Sequence, residues 1–352
     1  MQPIVPLMSN GLGNQMSCIA GAFEFQAACL AKGDHRQVLL DSWNVLRGKN
    51  KHEASTHVPA AIQFWPAVPS LPRDADVRRR VPVHTMGIFR ALRVDSVKSA
   101  LLGLDWRDPG TAIEYRGIAH HHFATEDTLR ETVSRHAVIP PLSAPLETLA
   151  GGLVSLEGAL FLHVRRGDYH SNLVLREMFS VDLYKQYYGN ALEHFAKEIA
   201  VGSHVLVCSD DIAWCTANLP ARYPQVPRSA WVFSSAARAD DTLVLMATCG
   251  LGGITANSSL SWWGMVLGKY KGDEQRKYVT PSHFTRALWP LSARKDARTL
   301  RPLGVLTENT GDRDVSVIPL AALAIIVIAV FAIRQAWQRY SSGSAKAPPP
   351  PL

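Results

Sequence analysis

Two adjacent arginines and an aspartate close an apolar run in FLHVRRGDYH, Phe161 to His170. A guanidinium presents a planar fork of donors that matches the oxygens of a phosphate or a carboxylate. Placed after a buried strand, one of Arg165 and Arg166 can face a crevice while the other packs back, with Asp168 close enough to hold the inward-turning one. The same residues would also serve as a structural Arg–Asp pair stiffening the loop, and this motif alone does not separate the two roles. Its letters RGD spell a cell-attachment tripeptide as well. Adhesion requires an exposed loop tip, however, and Gly167 and Asp168 directly follow the apolar run.

A second stretch, ANSSLSWWG, places Asn257, Ser258 and Ser259 at a strand-to-helix turn. Small cap-forming residues there leave backbone N–H groups and a hydroxyl to meet an anion. NSS is also a glycosylation sequon, but a position between a buried strand and the Trp262–Trp263 pair is poorly exposed. CSDD supplies Asp210 and Asp211 at another strand end. They are contiguous rather than one residue apart, which suits accepting hydrogen bonds from a base or ribose better than chelating a metal. His120 to His122 would alternate sides in extended backbone and so do not converge on one ion. NGLGNQM is a glycine turn entering a helix, without the dinucleotide-binding glycine fingerprint or a P-loop lysine.

These residues need a scaffold that collects strand ends. From Gly152 onward, apolar strand patterns (ALFLHVRR, HVLVCSDD, SAWVFSS, GGITA) alternate with helical ones (SVDLYKQYYGNALEHFAKEIA, AWCTANL, DDTLVLMATCG, SLSWWGMVLG). Such alternation predicts a parallel α/β domain, in which ligands bind at the carboxyl ends of the strands. The first part begins with a short strand and a helix from about Gln15 to Lys32, then a strand over Gln37–Ser42. Residues 50–110 are proline-rich and irregular apart from a helical stretch near 88–102, and 138–152 has the composition of a linker or domain edge.

The chain has 352 residues, 47% hydrophobic and 19% charged, enough for a sizeable core. Its net charge of +7 is dispersed, and the densest basic run, Arg73 to His84, accompanies no nucleic-acid module, so no nucleic-acid partner is expected. Five cysteines at unrelated spacings argue against a disulfide framework or a zinc site. The start shows no basic region followed by an apolar run, so no signal peptide is expected. Val317 to Ile333 is uncharged and would span about 25 Å as a helix, with Trp337 and Tyr340 where an interfacial belt belongs. A single-pass membrane anchor over 315–336 is therefore expected, with a disordered tail over 337–352. The basic residues after the span place the tail in the cytosol, whereas the missing signal places the main domain there.

GLGNQM, HVRRGDY, SDD and ANSSLSWWG, in that order, resemble the α-1,2-fucosyltransferases of glycosyltransferase family 11. GIAHHHF, FSVDLYKQYY and YVTPSHF resemble lesser motifs between and after them, so that the likeness runs from Pro3 to Phe284. Leu260 stands where the family usually has phenylalanine, Ser17 and Cys18 replace bulky residues, and 50–110 matches poorly. The resemblance implies a GT-B-like α/β fold of two Rossmann-like domains facing across a cleft, here 1–150 on the acceptor side and 151–312 binding the donor. It implies transfer of L-fucose from GDP-fucose to a galactose-terminated glycan with inversion, no metal and no cofactor, and a Golgi-type membrane setting. Position by position, it makes Arg165 the arginine on the donor β-phosphate, with Arg166 and Asp168 as supports. His163 and Asp211 would face the guanosine, Asn257 and Ser258 the pyrophosphate, and Asn14 would reach over from the first domain. The acceptor's general base stays open among Glu24, Asp34 and Asp41. A different acceptor or linkage on the same scaffold, or a non-catalytic, membrane-tethered sugar-nucleotide-binding protein, are the competing expectations.

Overall fold

Apolar runs of β-branched and aromatic residues set the central sheet. The computed structural model describes residues 3–6, 11–31, 33, 35–40, 60–71, 80–85, 112–117, 126–171, 185–273, 275–281 and 306–308. Residues 1–311 form one compact unit. In chain order the elements begin with β1 (Ile4–Pro6), α1 (Leu12–Leu30), α2 (Ala60–Gln63), β2 (Arg80–Thr85), β3 (Ala112–Gly117), α3 (Glu126–His136) and α4 (Leu146–Leu149). The second half contributes β4 (Ala159–Val164), α5 (Gly167–Ser171), α6 (Lys185–Glu193), α7 (Ala196–Ala200), β5 (His204–Ser209) and α8 (Ile212–Arg222). It continues with β6 (Trp231–Phe233), α9 (Ala239–Thr248), β7 (Gly252–Ile254), α10 (Ser259–Leu267), β8 (Lys277–Pro281) and β9 (Leu306–Glu308).

Both sheets are parallel. The first has the order β1-β3-β2, and isolated parallel bridges join Ile4 to Val38 and Leu40 to Ser70. The strand expected over Gln37–Ser42 is thus only those bridges within its described residues. The second sheet has the order β6-β5-β4-β7-β8-β9. Numbered along the sheet's own chain order this is 3-2-1-4-5-6, the doubly wound order of a dinucleotide-binding fold. The direction of winding reverses between β4 and β7, so the loops leaving those two strands diverge and open a crevice at their carboxyl ends.

Burial on both faces explains the uninterrupted apolar run of β4. Ala159 and Phe161 join a core shared with α1, α3, α9 and α10. Leu160, Leu162 and Val164 join a second core with Tyr187, Tyr188, Phe195 and Leu219. That alternation is the period of two that an extended chain imposes. The helix expected over residues 180–200 is divided within its described part: α6 ends at Glu193 and α7 begins at Ala196, with the Phe195 N–H tightening onto Leu192 at 3.0 Å. The stretch expected as a linker is held in place. Asp241 accepts the Ser143 N–H at 2.8 Å and its hydroxyl at 2.5 Å, and the Leu149 carbonyl accepts from Ser234 and Ser235.

The membrane expectation is corrected here: among the described residues no helix is long and apolar enough to cross a membrane. The segment 315–336 on which it rested lies outside the described residues, as do the tail 337–352, His120–His122, the helical stretch near 88–102, Asp34 and Asp41. The five cysteines are buried and none is joined in a disulfide.

Candidate active site

Register brings the acidic strand end beside the basic one. β4 and β5 pair from Ala159↔His204 to Val164↔Ser209, so Arg165–Gly167 leave the sheet next to Asp210 and Asp211. Arg165 is 27% exposed in its side chain and reaches both loops: Nη2 donates to Asp168 Oδ1 at 2.7 Å and Nη1 lies 2.9 Å from Asp210 Oδ2. A guanidinium has five N–H groups, and among the described residues these contacts engage its two terminal nitrogens while Nε remains. Its carbon also sits 5.5 Å from the centre of the Tyr169 ring.

Arg166 turns the other way and is buried. Nε donates to Asp211 Oδ2 at 3.0 Å, and the guanidinium lies over Trp214, 3.7 Å from the ring centre. Asp211 also caps α8, accepting the Trp214 N–H at 3.2 Å. The sequence-level picture of one arginine facing out and one packed back matches this division.

Across the switch point, Asn257 and Ser258 leave β7. Ser258 is the N-cap of α10 and accepts the Leu260 N–H at 3.3 Å. Asn257 is 2% exposed, yet among the described residues neither its amide nitrogen nor its amide oxygen has a partner. A buried amide left without partners is costly, so a ligand that satisfied it would gain on binding. Tyr169 ties the two strand-end loops together by donating to the Asn257 carbonyl at 3.1 Å, and burial pushes its phenol up to about 12.

Asn14 arrives through close packing. A Cβ at Gly13 would lie 2.5 Å from the Leu260 nitrogen, so the first turn of α1 abuts the start of α10. Trp263 locks the arrangement by donating to Ser17 Oγ at 2.9 Å, and Ser17 in turn donates to the Gly13 carbonyl at 3.1 Å. Asn14 is therefore in the opening turn of a helix whose N-cap, Gly11, has no side-chain cap. Two helix starts, each carrying partial positive charge, meet at this point.

His163 lies beneath the cluster. Burial, reinforced by the Arg165 charge, lowers its pKa to about 3, and Nδ1 has no partner among the described residues. It is a neutral imidazole at physiological pH. The cluster of Arg165, Arg166, Asp168, Asp210 and Asp211 sets two positive charges against three negative ones, so its net charge does not attract an anion. Attraction must come from the outward edge of Arg165 and from the helix starts.

Sequence reasoning left Tyr169 and Trp214 without a role at this site and read Asp210 only as an acceptor equivalent to Asp211. Among the described residues no cluster of potential metal ligands forms. A cavity of about 330 Å³ between α1 and α3, bordered by Phe23, Gln26, Arg36 and His136, belongs to the far half of α1 and not to the strand ends.

Residues 112–276 match the family model described as glycosyl transferase family 11. An O-antigen biosynthesis glycosyltransferase of Escherichia coli, WbnK, is 33% identical over 123 residues, and the aligned segment covers 34% of this chain but 37% of that relative. Among solved structures, a NodZ α-1,6-fucosyltransferase co-crystallized with GDP is similar at 15% identity and a TM-score of 0.46, over 76% of this chain and 92% of that one. The NodZ fucosyltransferase from Bradyrhizobium has 15% identity and a TM-score of 0.44, over 76% and 93%. These structural likenesses are too distant to bear on ligand or reaction. The motifs HVRRGDY, SDD and ANSSLSWWG all fall within residues 112–276, the part of the chain that matches the glycosyl transferase family 11 model.

Proposed function

We propose that the chain transfers L-fucose from GDP-fucose to a galactoside hydroxyl in α-1,2 linkage, with inversion and without a metal. The observation that carries this reading is the meeting of Arg165, the helix starts and the partnerless Asn257 amide at the switch point. Such a site suits a diphosphate esterified at an anomeric carbon, and the family match supports a sugar as the esterified group.

In this scheme the acceptor oxygen attacks the anomeric carbon as the bond from that carbon to the β-phosphate oxygen breaks. Negative charge then grows on the departing GDP. Arg165 lies where it can meet that charge, and removing one preorganised donor of this kind costs about 10²–10³ in rate. Arg166 and Asp168 hold the loop, His163 and Asp211 border the guanosine, Asn257 and Ser258 meet the pyrophosphate, and Asn14 closes over it from α1. Arg165 and the two helix starts supply the positive charge that a cation would otherwise supply. Residues 1–150 form the acceptor side of a GT-B-like pair of lobes and 151–312 the donor side. The acceptor is a galactose-terminated glycan, and its proton goes to a base still to be assigned. Glu24 is ten residues beyond Asn14 along α1, about 15 Å away by helical rise, too far for that task at the helix start.

The test is release of GDP from GDP-fucose with β-galactoside acceptors, followed by determination of the product linkage by NMR. An α-1,2-fucosyl galactoside supports the reading. GDP-fucose binding with transfer to no galactoside, or a different linkage, contradicts it.

A further inference from the structure

We infer that Asp210 is a positioning residue that aims Arg165, and that Gly167 is glycine because the Asp210 carboxylate occupies the space a side chain there would need. This rests on the donor site proposed above. Three observations converge on Asp210. Its Oδ1 accepts the backbone N–H of Arg166 at 2.8 Å, fixing the first residues after β4. Its Oδ2 lies 2.9 Å from Arg165 Nη1, fixing the guanidinium itself. A Cβ at Gly167 would stand 2.4 Å from that same Oδ2. Gly167 has no left-handed backbone to explain it, since its φ is outside the positive region. Close approach of the carboxylate is therefore its structural reason.

One carboxylate thus bridges β5 to both the backbone and the side chain of the arginine loop. Asp168 holds the other terminal nitrogen, but it comes from the same short loop and is 46% exposed. Asp210 supplies the anchor from the end of a neighbouring strand, and among the described residues that anchor is the one that ties the arginine's side chain to the sheet. Its two oxygens are committed to the loop, as those of Asp211 are to Arg166 and to the Trp214 N–H.

The expected behaviour follows from chemistry at Oδ2. In Asp210→Asn, one side-chain atom can still accept the Arg166 N–H, but the other becomes an NH₂ that faces the Arg165 donors. Arg165 then keeps only its loop partner. Loss of alignment of this order lowers rate about 10- to 100-fold. A structural contribution alone would lower activity whether or not Arg165 were present. The discriminating experiment is therefore a double-mutant cycle. It compares wild type, Asp210→Asn, Arg165→Ala and the double variant for kcat of fucosyl transfer and for GDP affinity by calorimetry, with binding stoichiometry giving the folded fraction. Asp210→Asn is expected to lower kcat at least about tenfold and to weaken GDP binding in the wild-type background, and to change either less than about twofold once Arg165 is Ala. An equal loss in both backgrounds overturns the inference. Gly167→Ala provides a second arm. It should reproduce the defect, yet be silent in an Asp210→Ala background where the space is free; a defect there also overturns it. The calorimetric arm separates the two proposals. Wild type that binds GDP but transfers no fucose refutes the transferase reading while the cycle in GDP affinity still decides the role of Asp210. Wild type that binds no GDP refutes both.

Discussion

Gly13→Ala should destabilise the protein even though the change improves a helix. Alanine exceeds glycine in helix propensity by about 0.8–1.0 kcal/mol, so an unencumbered site would gain. At Gly13 the new methyl would lie 2.5 Å from the Leu260 nitrogen, 2.5 Å from the Ser259 carbonyl carbon and 2.6 Å from Ser259 Oγ. Two of those atoms are backbone and cannot rotate away, so α1 must retreat from α10 by roughly 1 Å to reach ordinary contact distance, an overpacking cost of about 1–3 kcal/mol. The retreat also strains the buried Trp263–Ser17 hydrogen bond, which adds about 1 kcal/mol. The net expectation is a loss of about 1–3 kcal/mol, a fall in Tm of several degrees. Gly189 supplies the internal control, since among the described residues a Cβ there would meet only Tyr223 ring carbons, at 3.7 and 3.9 Å. Gly189→Ala in α6 should raise stability by about 0.5–1 kcal/mol. Urea unfolding of both variants beside wild type measures the contrast. Gly13→Ala that stabilises as much as Gly189→Ala would refute the close approach of the two helix starts, and with it the placement of Asn14.

Other expectations follow from the same contacts. The folded pKa of His163, about 3, lies below the 6.5 of an unfolded histidine, so the unfolded chain takes up a proton first and stability drops as pH falls from 6.5 towards 3. The slope is about 1.4 kcal/mol per pH unit, or about 2 kcal/mol between pH 6.5 and 5. His163→Asn should remove that part of the acid sensitivity in urea midpoints compared at pH 7 and 5; parallel curves for variant and wild type would count against a neutral buried imidazole. Trp263→Phe removes the indole donor to Ser17 and should cost about 1–2 kcal/mol, and less in a Ser17→Ala background. Equal costs in the two backgrounds would mean that the bond contributes nothing.

The strand ends were readable because their signals are local. An apolar run ending in charge, or in small capping residues, names its own position, and Arg165, Asp211 and Ser258 are all found where that logic places them. What sets their partners is register, which no local pattern encodes. Asp210 reaches Arg165 because Val164 pairs with Ser209 across 45 positions of chain, and the Arg166–Trp214 stack depends on the same pairing. The SDD motif therefore offered two interchangeable acids, whereas the fold gives them separate arginines. Gly13 illustrates a further limit: its glycine suggested a turn, but its reason is an approach to α10 from the opposite end of the chain. In the first sheet, weak periodicity left little to read, and the strand expected from Gln37 is only two bridges in its described part.

The central claim is that the ends of β4 and β7 form a diphosphate site in which Arg165 meets the outer phosphate. It is tested most directly by calorimetric titration of wild type and Arg165→Ala with GDP, GMP and guanosine. Wild type is expected to bind GDP at least about tenfold more tightly than GMP, a difference of about 1.4 kcal/mol, and the gap to collapse in Arg165→Ala while affinity for guanosine is unchanged. Equal affinity of wild type for GDP and GMP, or a gap that survives in Arg165→Ala, would contradict it.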